Sequence, residues 1–172
     1  MNGPAQPRRL GLGRILVTAC LWLLAAAAPL TFQPAAAAAA LFHLVGPVPA
    51  ELGLHDGHLS PCTAPSHCVR QDWPLADPVA GLHQLMPVLA ATPGVAVERF
   101  DEQPGAAYLH ATAESRLFGF IDDLELAADA RSGVLQLRSA SRLGDSDLGV
   151  NRARLESLKQ ALEAGISPAA AG

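Results

Sequence analysis

A chain of 172 residues has room for one domain with a substantial core, and half of it is hydrophobic while 16% is charged. Its 12 Lys and Arg against 16 Asp and Glu give a formal net charge of -4, an acidic balance that argues against nucleic acid and anionic lipid as partners. No Gly-x-Ser-x-Gly, P-loop, dinucleotide fingerprint or His-Glu-x-x-His is present, so no catalytic motif names a reaction.

Residues 1–40 read as an export signal. Arg8, Arg9 and Arg14 form a basic n-region, Ile15 to Phe32 is an uncharged apolar run, and Ala35 to Ala40 supplies small residues for signal peptidase. Cleavage after Ala40 removes those three arginines and no acid, leaving nine basic and sixteen acidic side chains and a net charge of -7. The apolar run is about eighteen residues, close to bilayer-spanning length, so an uncleaved N-terminal membrane anchor is the rival reading. Pro29 and Pro34 count against it. Arg8-Arg9 fits a twin-arginine signal only in part, and Val17-Thr18-Ala19-Cys20 imitates a lipoprotein box with Cys20 still inside the apolar run.

Leu41 to Ser60, punctuated by Gly46, Pro47, Pro49, Gly53 and Gly57, reads as an extended arm (41–60) leading into a single domain over 61–166. Cys62 and Cys68 bracket five residues and are the two cysteines left after export. In an oxidising compartment an isolated pair indicates a disulfide. A Cys/His metal site with His55, His58 and His67 and a pair of free thiols are the alternatives, although the spacing matches no familiar zinc pattern.

From Asp77, an N-cap candidate followed by Pro78, the residues Val79, Leu82, Leu85, Met86 and Leu89 recur at helical spacing until Thr92-Pro93-Gly94. Pro87 is expected to kink this helix or end it early. Four strands are expected next, over Val95 to Phe100, Ala107 to Ser115, Gly119 to Ala127 and Val134 to Ser141, with turn residues between them. Asn151 is then expected to cap a helix striped by Leu155, Leu158 and Leu162. The expected fold is therefore α+β, two-layer: a four-stranded antiparallel meander flanked by an N-terminal and a C-terminal helix. Residues 167–172 read as a disordered tail.

Alternation along the strands sets Tyr108, His110, Thr112 and Glu114 on one face, with Asp123 and Glu125, then Gln136 and Arg138, on neighbouring strands. If register aligns them, a histidine, several carboxylates and an arginine share that face, as a general acid/base site or as a solvated face laced with ion pairs. Asp145-Ser146-Asp147 has the start of a calcium loop without its glycine and glutamate, so a turn and helix start is expected there. The candidate binding or structural network is Asp122, Asp123, Arg138, Ser139, Ser141, Arg142, Asp145, Asp147, Asn151 and Arg152, with the aspartates holding the arginines as one scaffold or, as the alternative, the arginines facing solvent as an anion or partner site. No residue is assigned a catalytic role, and no metal or cofactor is expected.

The stretch from Arg138 to Arg154, with Phe118-Gly119-Phe120-Ile121-Asp122-Asp123 and Asp56-Gly57-His58-Leu59-Ser60-Pro61-Cys62, resembles the domain-of-unknown-function 1499 family of bacteria and plastid-bearing organisms. The resemblance covers roughly Leu52 to Leu162. A typical member has proline after the first cysteine and asparagine before the second, where this chain has Thr63 and His67. It implies an uncharacterised exported protein of the periplasm or, in a photosynthetic organism, the thylakoid lumen.

The function expected is a non-enzymatic binding or assembly module for a protein partner or small ligand, with its site at the strand-to-helix loop and the cluster of Arg138, Arg142 and Arg152. A metal-dependent or hydrolase-like enzyme using His110, Asp122, Asp123 and Asp145 is the alternative, and a lipophilic-ligand carrier under a curved sheet a third. The mature chain is expected to begin at Leu41; N-terminal analysis of the exported protein checks this, and residues before Ala35 in it would refute cleavage there.

Overall fold

The computed structural model describes residues 43–116 and 118–165. The expected signal segment and C-terminal tail lie outside them. Two short strands, β1 (Leu54–His55) and β2 (His58–Leu59), pair as a hairpin within what was expected to be a plain extended arm. β3 (Cys68–Pro74), α1 (Pro78–Ala91), β4 (Val95–Gln103), β5 (Ala106–Glu114), β6 (Ile121–Asp129), β7 (Val134–Ser141) and α2 (Val150–Glu163) follow.

The main sheet is antiparallel with strand order β3-β7-β6-β5-β4. β4 to β7 form the expected meander, but the sheet has five strands rather than four, because β3 adds to the far edge beside β7. The extra strand escapes a pattern reading because its helix-facing residues are mixed. Val69 and Trp73 join the core, whereas Gln71 between them accepts the Trp73 indole N–H at 2.8 Å and donates to Glu156 of α2 at 3.2 Å.

Both helices pack on one face. Leu82, Leu85 and Leu89 of α1 and Leu155 and Leu158 of α2 bury against Leu109, Leu124, Leu126, Leu135 and Leu137 of the sheet. Removing such side chains from water is the main favourable term for the fold. Asp77 caps α1 as expected, accepting the Ala80 N–H at 2.9 Å. The helix does not end early at Pro87; it continues to Ala91. Leu85 and Leu89, buried on either side of the proline, hold the last turn against the sheet despite the missing hydrogen bond.

The opposite face is crossed by the arm. Leu44 N–H donates to the Gly119 carbonyl at 2.9 Å, Leu59 N–H to Gln136 Oε1 at 3.1 Å, and Gln136 Nε2 returns a bond to the Gly57 carbonyl at 3.0 Å. Leu59 is 1% exposed and packs on Tyr108 and Ala127, a small second core. A disulfide between Cys62 and Cys68 ties the end of the arm to the start of β3.

Because that bridge closes a short loop, Cys62→Ser should lower the unfolding free energy by about 2 kcal/mol. Denaturant unfolding of the variant checks the size, and thiol labelling of the unreduced wild type should find neither cysteine.

Candidate functional site

Register, not sequence proximity, assembles the polar face. Across four strands it aligns His110 with Glu125, Arg138 and Arg70, and Tyr108 with Ala127, Gln136 and Asp72. Thr112 lies opposite Asp123 in the same way. The arm turns this face into an interior: Glu125 and Asp123 are 0% exposed and Arg138 is 4% exposed. A solvated sheet face is therefore not what these residues form.

Buried carboxylates without partners would be very costly, so each has several. Glu125 Oε2 accepts Arg138 Nη1 at 3.0 Å, and Glu125 Oε1 accepts the Tyr108 hydroxyl at 2.8 Å and the Gly53 N–H of the arm at 2.7 Å. Burial, and then the Glu125 carboxylate, push the Tyr108 phenol well above its ordinary range and keep it a donor. Arg138 also donates through Nη2 to Glu51 of the arm at 3.3 Å.

Asp123 is gripped on both oxygens. Arg142 donates through Nε to Oδ2 at 2.8 Å and through Nη2 to Oδ1 at 2.7 Å, and His110 Nε2 lies 2.8 Å from Oδ1. Burial alone would raise the Asp123 carboxyl, but the Arg142 and His110 bonds and charges outweigh it and hold the group below its ordinary 3.8. The bond to Asp123 raises Arg142 in turn, against its own desolvation. His110 and Arg142 line an open groove of about 340 Å³ with His43, Glu98, Thr112 and Ile121.

Asp122 is one residue earlier and so points to the helix side. There it accepts Arg154 Nη2 at 2.7 Å and the Ser141 hydroxyl at 2.6 Å. Arg154 Nη1 also donates to Ser139 Oγ at 2.7 Å and to Asn151 Oδ1 at 2.6 Å, while Asn151 Nδ2 donates to Ser141 Oγ at 3.0 Å and to the His67 carbonyl at 3.2 Å. Ser139 and Asn151 are fully buried.

Asn151 is thus not the cap of α2. The helix begins at Val150 behind Gly149, whose φ of 84° suits glycine, and Asp147 receives the Gly149 and Asn151 N–H groups at 2.8 and 3.0 Å. Those bonds outweigh its desolvation and hold the Asp147 carboxyl below its ordinary 3.8.

The candidates therefore divide. Asp123 with Arg142, and Arg138 with Glu125, lie under the arm; Asp122, Ser139, Ser141 and Asn151 form a separate cluster beneath α2; Asp147 starts the helix. Asp145 and Arg152 are exposed and make no ion pair among the described residues. Arg154 and Glu51 join the network beside the expected residues. Arg154 follows Asn151 by three positions, a spacing that puts both on one helix face, and that signal was available. Glu51 lies 87 positions from Arg138 and carried none. Among the described residues no group of three or more His, Cys, Asp or Glu is placed to hold a metal ion.

The family model described as "Protein of unknown function (DUF1499)" matches residues 58–162, and the chain belongs to that family. No curated protein and no solved structure matches it.

Asp123→Asn leaves Arg142 buried beside a neutral amide and should cost about 3 kcal/mol of stability. The folded carboxyl titrates below its unfolded value, so the wild-type contribution is complete above about pH 4 and is lost as pH falls through the lowered folded value. Denaturant unfolding across the acid range should show the variant less stable at neutral pH and less sensitive to acid than the wild type.

Proposed function

We propose that the chain is an exported, non-enzymatic binding or assembly module that receives a small ligand or a partner protein on the sheet face beneath and beside its arm. One observation carries the reading: every buried acid on β6 is committed to an arginine. Asp122 holds Arg154, Asp123 holds Arg142 and Glu125 holds Arg138. A general base works best with a pKa near the operating pH, and the Asp123 environment drives its carboxyl the other way. These groups read as a scaffold that shapes a surface. The basic, apolar and small-residue order of residues 1–40 and the Cys62–Cys68 bridge support export to an oxidising compartment. The periplasm, or the thylakoid lumen in a photosynthetic organism, is such a compartment, with membrane contact only through an uncleaved signal.

His110 favours a second reading. Its Nε2 lies beside the Asp123 carboxylate while its ring lines the groove with Thr112, a histidine–carboxylate pair at an open surface that hydrolase-like chemistry could use. Purification of the tagged mature protein from its own compartment, without chelator, separates the two. The expected outcome is a retained small molecule or partner, metal content near zero, and no ester or phosphoester hydrolysis that His110→Gln abolishes. Turnover lost in that variant would establish the enzyme reading instead.

A further inference from the structure

We propose that Arg138, flanked by Arg70, is a carboxylate-binding site that Glu51 of the arm occupies in cis, and that a small carboxylate ligand displaces it. The inference rests on the binding reading above and gives the ligand a chemistry. Arg70 and Arg138 face each other directly across β3 and β7. Like charges in that position repel, so the pair calls for anions around it.

A guanidinium grips a carboxylate best along one edge, with two parallel N–H groups. Arg142 does this through Nε and Nη2, using both oxygens of Asp123. On Arg138 the same edge is half used. Its Nη2 donates to Glu51 at 3.3 Å, while its Nε is buried with no hydrogen-bond partner among the described residues. Arg70 repeats the pattern: its Nη2 donates to Gln136 at 2.9 Å and to Asp72, and its Nε is likewise buried without a partner among the described residues. A buried N–H without an acceptor is unfavourable, and a carboxylate bound along the edge would relieve it.

Glu51 is suited to be displaced. Its side chain is 52% exposed, so its pair with Arg138 is weak. Its backbone is held separately, the carbonyl accepting from Ser60 Oγ at 2.8 Å, so the side chain can swing out while the arm stays in place. The exchange is also neutral, one carboxylate for another. Glu125 and Asp72 beside the two arginines disfavour a dianion such as phosphate.

The test is NMR of the arginine Nε–H signals in the full mature protein, titrated with acetate and separately with inorganic phosphate. Acetate should shift the Arg138 signal saturably, with Glu51→Gln binding about fivefold tighter than wild type, Arg70→Gln weaker, and phosphate producing no saturable shift. Because Glu51 is half-exposed, Glu51→Gln should keep the wild-type melting temperature, and its folding is checked in the same spectra. Absence of a saturable shift in folded Glu51→Gln, equal affinity in variant and wild type, or phosphate binding as well as acetate would each overturn the proposal. None of these bears on whether the protein retains a ligand or partner elsewhere on purification, so the binding reading falls only on its own test.

Discussion

Two consecutive aspartates on the central strand of the sheet set the conditions that the surrounding structure meets. β6 has a paired strand on each side, so Asp122 and Asp123 cannot reach water along the sheet and must point to its two faces. Both faces are covered, by α2 on one and by the arm on the other. An ionised carboxylate in either place needs a cation and several hydrogen-bond donors. Arg154 reaches Asp122 from the first turns of α2, and Arg142 reaches Asp123 from the end of β7. The segment joining β7 to α2 is therefore positioned by its two arginines on opposite sides of one strand.

The arm follows from the same requirement. Antiparallel sheets commonly leave one face to water, and the polar residues facing away from the helices suit that pattern. Here the arm donates a backbone N–H to Glu125 and another to Gln136, and it seats Leu59 against Tyr108. Charged and amide groups on the sheet thus gain fixed donors in place of mobile water. Desolvation offsets much of the attraction between buried ions, so these pairs are costly to break singly without being a large net source of stability. The disulfide and Leu59 supply the anchoring that the polar contacts alone do not.

Period-two alternation made β4 to β7 and their polar face legible, and Asp77-Pro78 marked the start of α1. β3 was not legible, since Gln71 interrupts its inward row, and its value comes only from bonding Trp73 and Glu156 after the sheet has formed. Asn151 has the chemistry of a cap, but burial behind Ser139 and Ser141 uses its amide for the interior while Asp147 takes the helix start. The pairing of each arginine was ambiguous for a related reason. The short stretch that holds Arg138, Arg142, Asp145 and Asp147 suggests local pairs, whereas strand register delivers Arg138 to Glu125 and Arg142 to Asp123. Register depends on the whole sheet, which local pattern does not encode.

Three arginines differ in how fully the surrounding structure uses their donors. Arg142 saturates its carboxylate-facing edge, and Arg154 divides its donors among Asp122, Ser139 and Asn151. Arg138 is as deeply buried as Arg142, yet one N–H of its equivalent edge finds no acceptor among the described residues and the other meets a half-exposed glutamate at the longest of these distances. A purely structural arginine in this position would gain from a closer acceptor, and the neighbouring strand supplies a second arginine with the same deficit instead. Among the described residues, those two Nε–H groups are buried donors without an acceptor, and each such group costs free energy that the structure leaves unrecovered.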